Sequence, residues 1–209
     1  MSVAAITVSL MAAADIKYDQ RMGRWEPDSR GRLEQAALTL YSERGFENTT
    51  VAEIAALAGV TERTFFRYFA DKREVLFSGA SSLQEFLVSA VVGAPDSAAP
   101  IEAVVAAFEA AGALLQERRE FARPRQAVIV ANPGLREREL IKLAALAWAI
   151  ADALRRRGVA GPAASLTAEA GVAIFRVAFV HWVAESNQRE LQQLIRESLD
   201  ELKAVTAGR

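Results

Sequence analysis

Between Val51 and Phe69 two short helical stretches meet at Gly59. The second, Thr61-Glu62-Arg63-Thr64-Phe65-Phe66-Arg67-Tyr68, turns Arg63, Thr64 and Arg67 outward. Arginine can donate two parallel hydrogen bonds to a guanine edge, and threonine can reach an exposed base edge, so this pattern suits reading of a DNA major groove. Other chemistries are poorly served. With no cysteine there is no disulfide, thiol nucleophile or Cys-ligated metal, and with one histidine no site can need two. A Ser-His-Asp triad could run only through His181. There is no paired-carboxylate metal motif and no Gly-rich phosphate loop, so neither an enzyme, a metal nor a cofactor is expected. The competing reading is a helical small-molecule-binding protein or enzyme in which this hairpin is incidental.

The residues around the hairpin must hold it in place. Leu33, Ala36, Ala37, Leu40 and Tyr41 recur at the spacing of one helix face, ahead of a stop at Gly45. Thr50-Val51-Ala52-Glu53 is a capping box that opens the helix Val51 to Ala58. Ile54 and Val60 are expected between the two short helices, Ala55 lets them cross closely, and Phe65 and Phe69 pin the second to the core. Asp71-Lys72-Arg73-Glu74 reads as a second box, opening one helix to about Val92. Further helices are expected over Ile101 to Arg119, Gln126 to Ala131 (after a break at Pro124), Leu135 to Arg157, Thr167 to Ser186 (after a loop at Gly161-Pro162) and Arg189 to Val205.

The 209 residues are 52% hydrophobic and 24% charged, with a formal net charge of −1. Wholesale disorder is therefore excluded. Between Lys17 and Phe77 ten basic residues face ten acidic ones, so DNA affinity would depend on where charge sits rather than on its sum. It collects at Arg21 and Arg24 and at Arg63 and Arg67. Val3 to Ala14 lacks the basic start of a signal peptide, and no apolar run is read as approaching a membrane span; no membrane association is expected.

In combination, Arg44-Gly45-Phe46, Thr49-Thr50-Val51-Ala52-Glu53-Ile54-Ala55, Ala58-Gly59-Val60-Thr61, Thr64-Phe65-Phe66-Arg67-Tyr68-Phe69 and Asp71-Lys72-Arg73-Glu74 resemble the TetR family of transcriptional regulators. The resemblance implies an all-α protein: a flexible arm over 1–27, a three-helix helix-turn-helix domain over 28–75 and a helical ligand-binding and dimerisation bundle over 76–209. It implies a cytoplasmic homodimeric repressor on a palindromic double-stranded DNA operator, released by a mainly apolar small molecule. Thr50, Thr61, Tyr68 and Lys72 would contact phosphates, Arg63 and Thr64 base edges, and Phe66, where the family often has tyrosine, a thymine methyl or sugar. Arg67 would join them or else pair with Glu62 or Asp71.

The resemblance also implies that the last two helices form a four-helix bundle with a second subunit. Phe175, Phe179, Trp182, Leu194 and Leu202 are the expected interface. Phe86, Phe108, Trp148, Arg176 and Phe179 are candidates to line a ligand pocket. Arg176, set among apolar residues, would bind a ligand anion or pair with another helix, and His181 would sit at the interface or at the ligand. Arg123-Pro124-Arg125 and Asn132-Pro133-Gly134-Leu135-Arg136 look like a branch of the family in which some members respond to acyl thioesters, with Arg123, Arg125 or Arg136 at the pocket mouth.

Overall fold

A computed structural model describes residues 28–208; the arm over 1–27 lies outside them. Among the described residues there is no strand. The helices are α1 (Ser29–Arg44), α2 (Val51–Leu57), α3 (Glu62–Tyr68), a 3-10 turn (Glu74–Phe77), α4 (Ala80–Val92), α5 (Pro100–Gln116), α6 (Arg119–Ala131), α7 (Pro133–Arg156), α8 (Gly161–Val183) and α9 (Leu191–Thr206).

Two apolar cores form. One gathers the α1 stripe with Phe46, Ile54, Phe65, Phe69 and the 3-10 turn, and it borrows Val128, Ile129 and Leu135 from α6 and α7. The other fills the space between α4, α5, α7, α8 and α9. At its centre Phe108 stacks on Phe175, ring centroids 4.9 Å apart, and the aromatic series continues through Phe179 to Trp182. Gly171 is needed there: a Cβ at that position would lie 2.4 Å from Val104 Cγ1, so α5 and α8 could not approach as closely.

Four expected boundaries differ. The helix to Val92 is split at Ser78-Gly79. Asp71 does cap its start, accepting from the backbone N–H of Arg73 (2.7 Å) and Glu74 (3.0 Å), but Glu74 turns away to Arg138 and Lys142 instead of closing the box. Pro124 does not break α6 but sits in its second turn. Proline there removes one hydrogen bond to the preceding turn, a loss that tertiary anchoring of α6 offsets. Gly161-Pro162 starts α8 rather than preceding it, since proline suits a first helical turn. The final helix starts at Leu191, two residues later than expected. By length and composition two stretches, 74–92 and Gly161–Val183, are apolar enough to cross a membrane, each with a mean hydropathy of 1.5. That corrects the reading that no such run exists.

The α8 and α9 aromatics and leucines expected between subunits lie within the protomer. Phe175, Trp182 and Leu194 are buried, and Phe179 and Leu202 pack against the same core. An apolar helix stripe has the same spacing whether its partner is its own chain or another, so periodicity could not separate the two.

Candidate nucleic-acid interface

The recognition unit is built on caps. Thr50 Oγ1 accepts from the Glu53 N–H (3.2 Å) while Glu53 Oε2 accepts from the Thr50 N–H (2.8 Å), closing the expected box. The backbone and hydroxyl hydrogen bonds from Thr50, and the neighbouring Arg44 guanidinium, hold the Glu53 carboxyl below its usual range. Gly59, at φ +68°, makes the left-handed turn between α2 and α3, and the Val60 N–H returns to Ala55 O at 2.9 Å. Thr61 caps α3 by accepting from the Thr64 N–H. Ile54 and Phe65 are fully buried beneath, and Phe69 nearly so.

This leaves one face of α3 outward. Arg63, Phe66 and Arg67, at i, i+3 and i+4, are exposed, and Tyr68 is exposed beside them. Arg67 donates to the Tyr68 hydroxyl at 3.0 Å and lies over its ring. Thr50 and Thr61 are also exposed.

Two expected contacts are corrected. Thr64 is buried, its hydroxyl 3.1 Å from that of Thr61, so it closes the α3 cap and faces the core. Lys72 is turned inward. Its Nζ donates to Phe46 O (2.9 Å), Thr49 O (2.9 Å) and Glu47 O (3.3 Å), and it sits 4.5 Å from the Phe46 ring centroid. All three donors of its ammonium group are engaged, and it braces the loop that delivers Thr50 to α2. Tyr41 completes the brace by donating to Lys72 O at 2.6 Å; burial first, and Asp71 second, push its phenol well above the ordinary value.

A network that sequence reasoning missed joins this unit to the rest. Glu34, buried in α1, accepts from Ser78 Oγ (2.7 Å), Arg118 (3.2 Å) and Arg30 (3.3 Å). Glu74 accepts from Arg138 Nε (2.7 Å) and Lys142 (3.0 Å). Burial opposes ionisation of Glu74, but these two cations outweigh it and hold its carboxyl below the ordinary value. Arg125 donates to Leu76 O, and burial lowers its pKa despite nearby Glu139. A buried Glu within an apolar helix stripe is the signal that could have revealed the first cluster.

The expected pocket residues do not converge. Phe108 is fully buried, Phe86 and Phe179 are half-buried at the core edge, and Trp148 and Arg176 are exposed. Arg176 therefore neither faces a pocket nor makes a buried ion pair, because α8 carries a second, outward face on which it lies. His181 is exposed on that helix as well. Arg123 donates to Val183 O and Ala184 O, capping the end of α8, so with Arg125 it is spoken for structurally; Arg136 is exposed. A cleft of about 620 Å³ lies elsewhere, between α1 (Leu38, Thr39) and the α5–α6 junction (Arg118, Phe121, Pro124).

Residues 34–78 match the model for bacterial regulatory proteins of the TetR family, and residues 98–207 match the model for the MftR C-terminal domain. The chain is 39% identical over 82 residues to the HTH-type transcriptional regulator TcmR of Streptomyces glaucescens, covering 39% of this chain and 36% of that protein. It thus spans little over a third of that relative's length. Thermus thermophilus FadR, solved in complex with lauroyl-CoA, is 25% identical with a TM-score of 0.52, covering 83% of this chain and 93% of that one. The SmeT–triclosan complex shares the fold at 21% identity and a TM-score of 0.62, covering 85% and 90%. With its helix-turn-helix and most of its remaining length both matched, the chain belongs to the TetR family of bacterial regulatory proteins, which are DNA-binding transcriptional regulators and not enzymes.

Proposed function

We propose that the protein is a cytoplasmic repressor that binds a palindromic operator as a homodimer and is released by a mainly apolar small molecule. In this reading residues 28–75 bind DNA and residues 76–209 bind effector and partner. The observation that carries it is the outward face of α3, with Arg63, Phe66 and Arg67 exposed on a helix locked by its cap and by Phe65. Arg63 and Arg67 read base edges, Phe66 meets a thymine methyl or sugar, and Thr50, Thr61 and Tyr68 approach phosphates. An apolar effector enters the C-terminal bundle and shifts the population toward a state with misplaced recognition helices. The ligands named for FadR and SmeT, lauroyl-CoA and triclosan, support an apolar effector.

The test is a gel shift with inverted-repeat DNA from the flanks of the protein's own gene, against a scrambled duplex. Retardation of the first alone is expected, followed by release on adding lauroyl-CoA or triclosan as probes. Equal retardation of both duplexes overturns operator recognition.

A further inference from the structure

We propose that the cleft between α1 and the α5–α6 junction is a second small-molecule site, and that it takes a lipophilic organic cation. The cleft is separate from the interior of the C-terminal bundle, so the inference goes beyond the reading above and does not depend on it.

The cleft has two walls. On α1, Gln35, Leu38, Thr39 and Ser42 recur at steps of three and four, so they share one helix face. That face lies beside the one that Leu33, Ala37 and Tyr41 bury in the recognition unit, with Leu38 shared between the two. Opposite stand residues of the α5–α6 junction, from Glu117 to Pro124. The space between the walls is about 620 Å³, within the roughly 300–1,000 Å³ of pockets that hold drug-sized molecules.

The lining suits an occupant that is apolar and positive at once. Buried Leu38 and half-buried Phe121 and Pro124 offer apolar surface. Glu43 on α1, and Glu117 and Glu120 on the opposite wall, are exposed carboxylates, and none of them makes an ion pair among the described residues. Arg118 is the one cation among the described lining residues, and it is already engaged: it pairs with Glu34 at 3.2 Å and lies 5.2 Å from the Phe121 ring centroid. That contact shows the Phe121 ring accepting positive charge on its face.

Charge and spacing together choose the occupant. The two walls carry like charges across the cleft, a repulsion that an intervening cation relieves. An anion would meet three carboxylates and an arginine that is already paired. A bare metal ion does not fit the spacing, because among the described residues no group of three or more carboxylate, histidine or cysteine side chains is placed to hold one. An organic cation reaches carboxylates that are set apart, and its apolar body covers Leu38, Phe121 and Pro124.

The experiment is isothermal titration calorimetry of the full chain, without DNA, with tetraphenylphosphonium and with tetraphenylborate, which carries the same four phenyl groups and the opposite charge. The phosphonium is expected to bind at least about tenfold more tightly than the borate. Its affinity should fall by roughly threefold or more as salt rises from about 50 to about 500 mM, because exposed carboxylates are screened. Glu43→Gln, Glu117→Gln and Glu120→Gln combined should weaken it by roughly tenfold. Ser42→Trp, which fills the cleft from an exposed position, should do the same, and helical circular dichroism should be unchanged in both variants. Phosphonium binding that either variant leaves unaltered overturns the site. Equal binding of the two probes, no binding of the phosphonium, or indifference to salt overturns the choice of a cation. Displacement of the phosphonium by calcium makes the carboxylates a metal site and overturns the organic ligand. Since no DNA is present, each of these outcomes leaves operator recognition as it stands.

Discussion

Lys72→Met separates a structural brace from a phosphate contact. In the folded protein the Lys72 ammonium bridges three carbonyl oxygens of the loop between α1 and α2, two of them at 2.9 Å, and lies over the Phe46 ring. Hydrogen bonds to a charged group contribute about 1.5–3 kcal/mol each in favourable cases, less where water replaces the donor. The Phe46 and Thr49 carbonyl contacts are partly buried, whereas that to Glu47 is exposed and long, so about two of the three retain weight. Counting each of those two at about 0.75–1.5 kcal/mol net of exchange with water, and adding about 0.5–1 kcal/mol from the ring contact, the loss comes to about 2–4 kcal/mol. For a chain of this size that lowers the melting temperature by roughly 5–12 °C. The assay is thermal unfolding followed by circular dichroism, with DNA affinity measured across a salt series. Because the ammonium never reaches DNA, the slope of log affinity against log salt should stay as in wild type. A phosphate contact would do the reverse, leaving stability unchanged and reducing the slope by about one. That pair of results would refute the brace.

Arg63→Ala is expected to cost about 1–3 kcal/mol against the operator and to relax discrimination at one base pair; equal weakening on random DNA would remove its base-reading role. Gly171→Ala places a Cβ 2.4 Å from Val104 Cγ1, so α5 and α8 must separate, at about 1–3 kcal/mol; an unchanged melting temperature would show that the core absorbs it freely. Glu74, whose folded pKa lies below its ordinary 4.5, contributes stability that is complete above that value and is lost as pH falls through the lower folded one. Glu74→Gln should therefore flatten the fall in melting temperature as pH drops below about 4.5, and an unaltered profile counts against the clamp to Arg138 and Lys142.

Local patterns settled the recognition unit because its interactions are local. The Thr50–Glu53 box, the left-handed Gly59 and the Thr61 cap each join residues within a few positions, so spacing alone specified them, and with them the exposed Arg63 and Arg67, whereas Thr64, expected outward with them, is buried. The α1 stripe was equally legible, since a helix with one apolar face must bury it. What spacing could not decide was partner choice. Lys72 sits at a position suited to a phosphate, yet the fold brings it to carbonyls more than twenty residues away. Trp182 and Leu194 carry the pattern of an intermolecular seam, yet both are buried in the protomer's own core, while Trp148 and Arg176, which looked interior, face outward. Pro124 fell inside a helix because Arg119, Arg123 and Arg125 anchor α6 to distant carbonyls. Hydrophobicity and periodicity state that a face must be covered; only the three-dimensional path of the chain decides whether its own helices do the covering or leave the face bare.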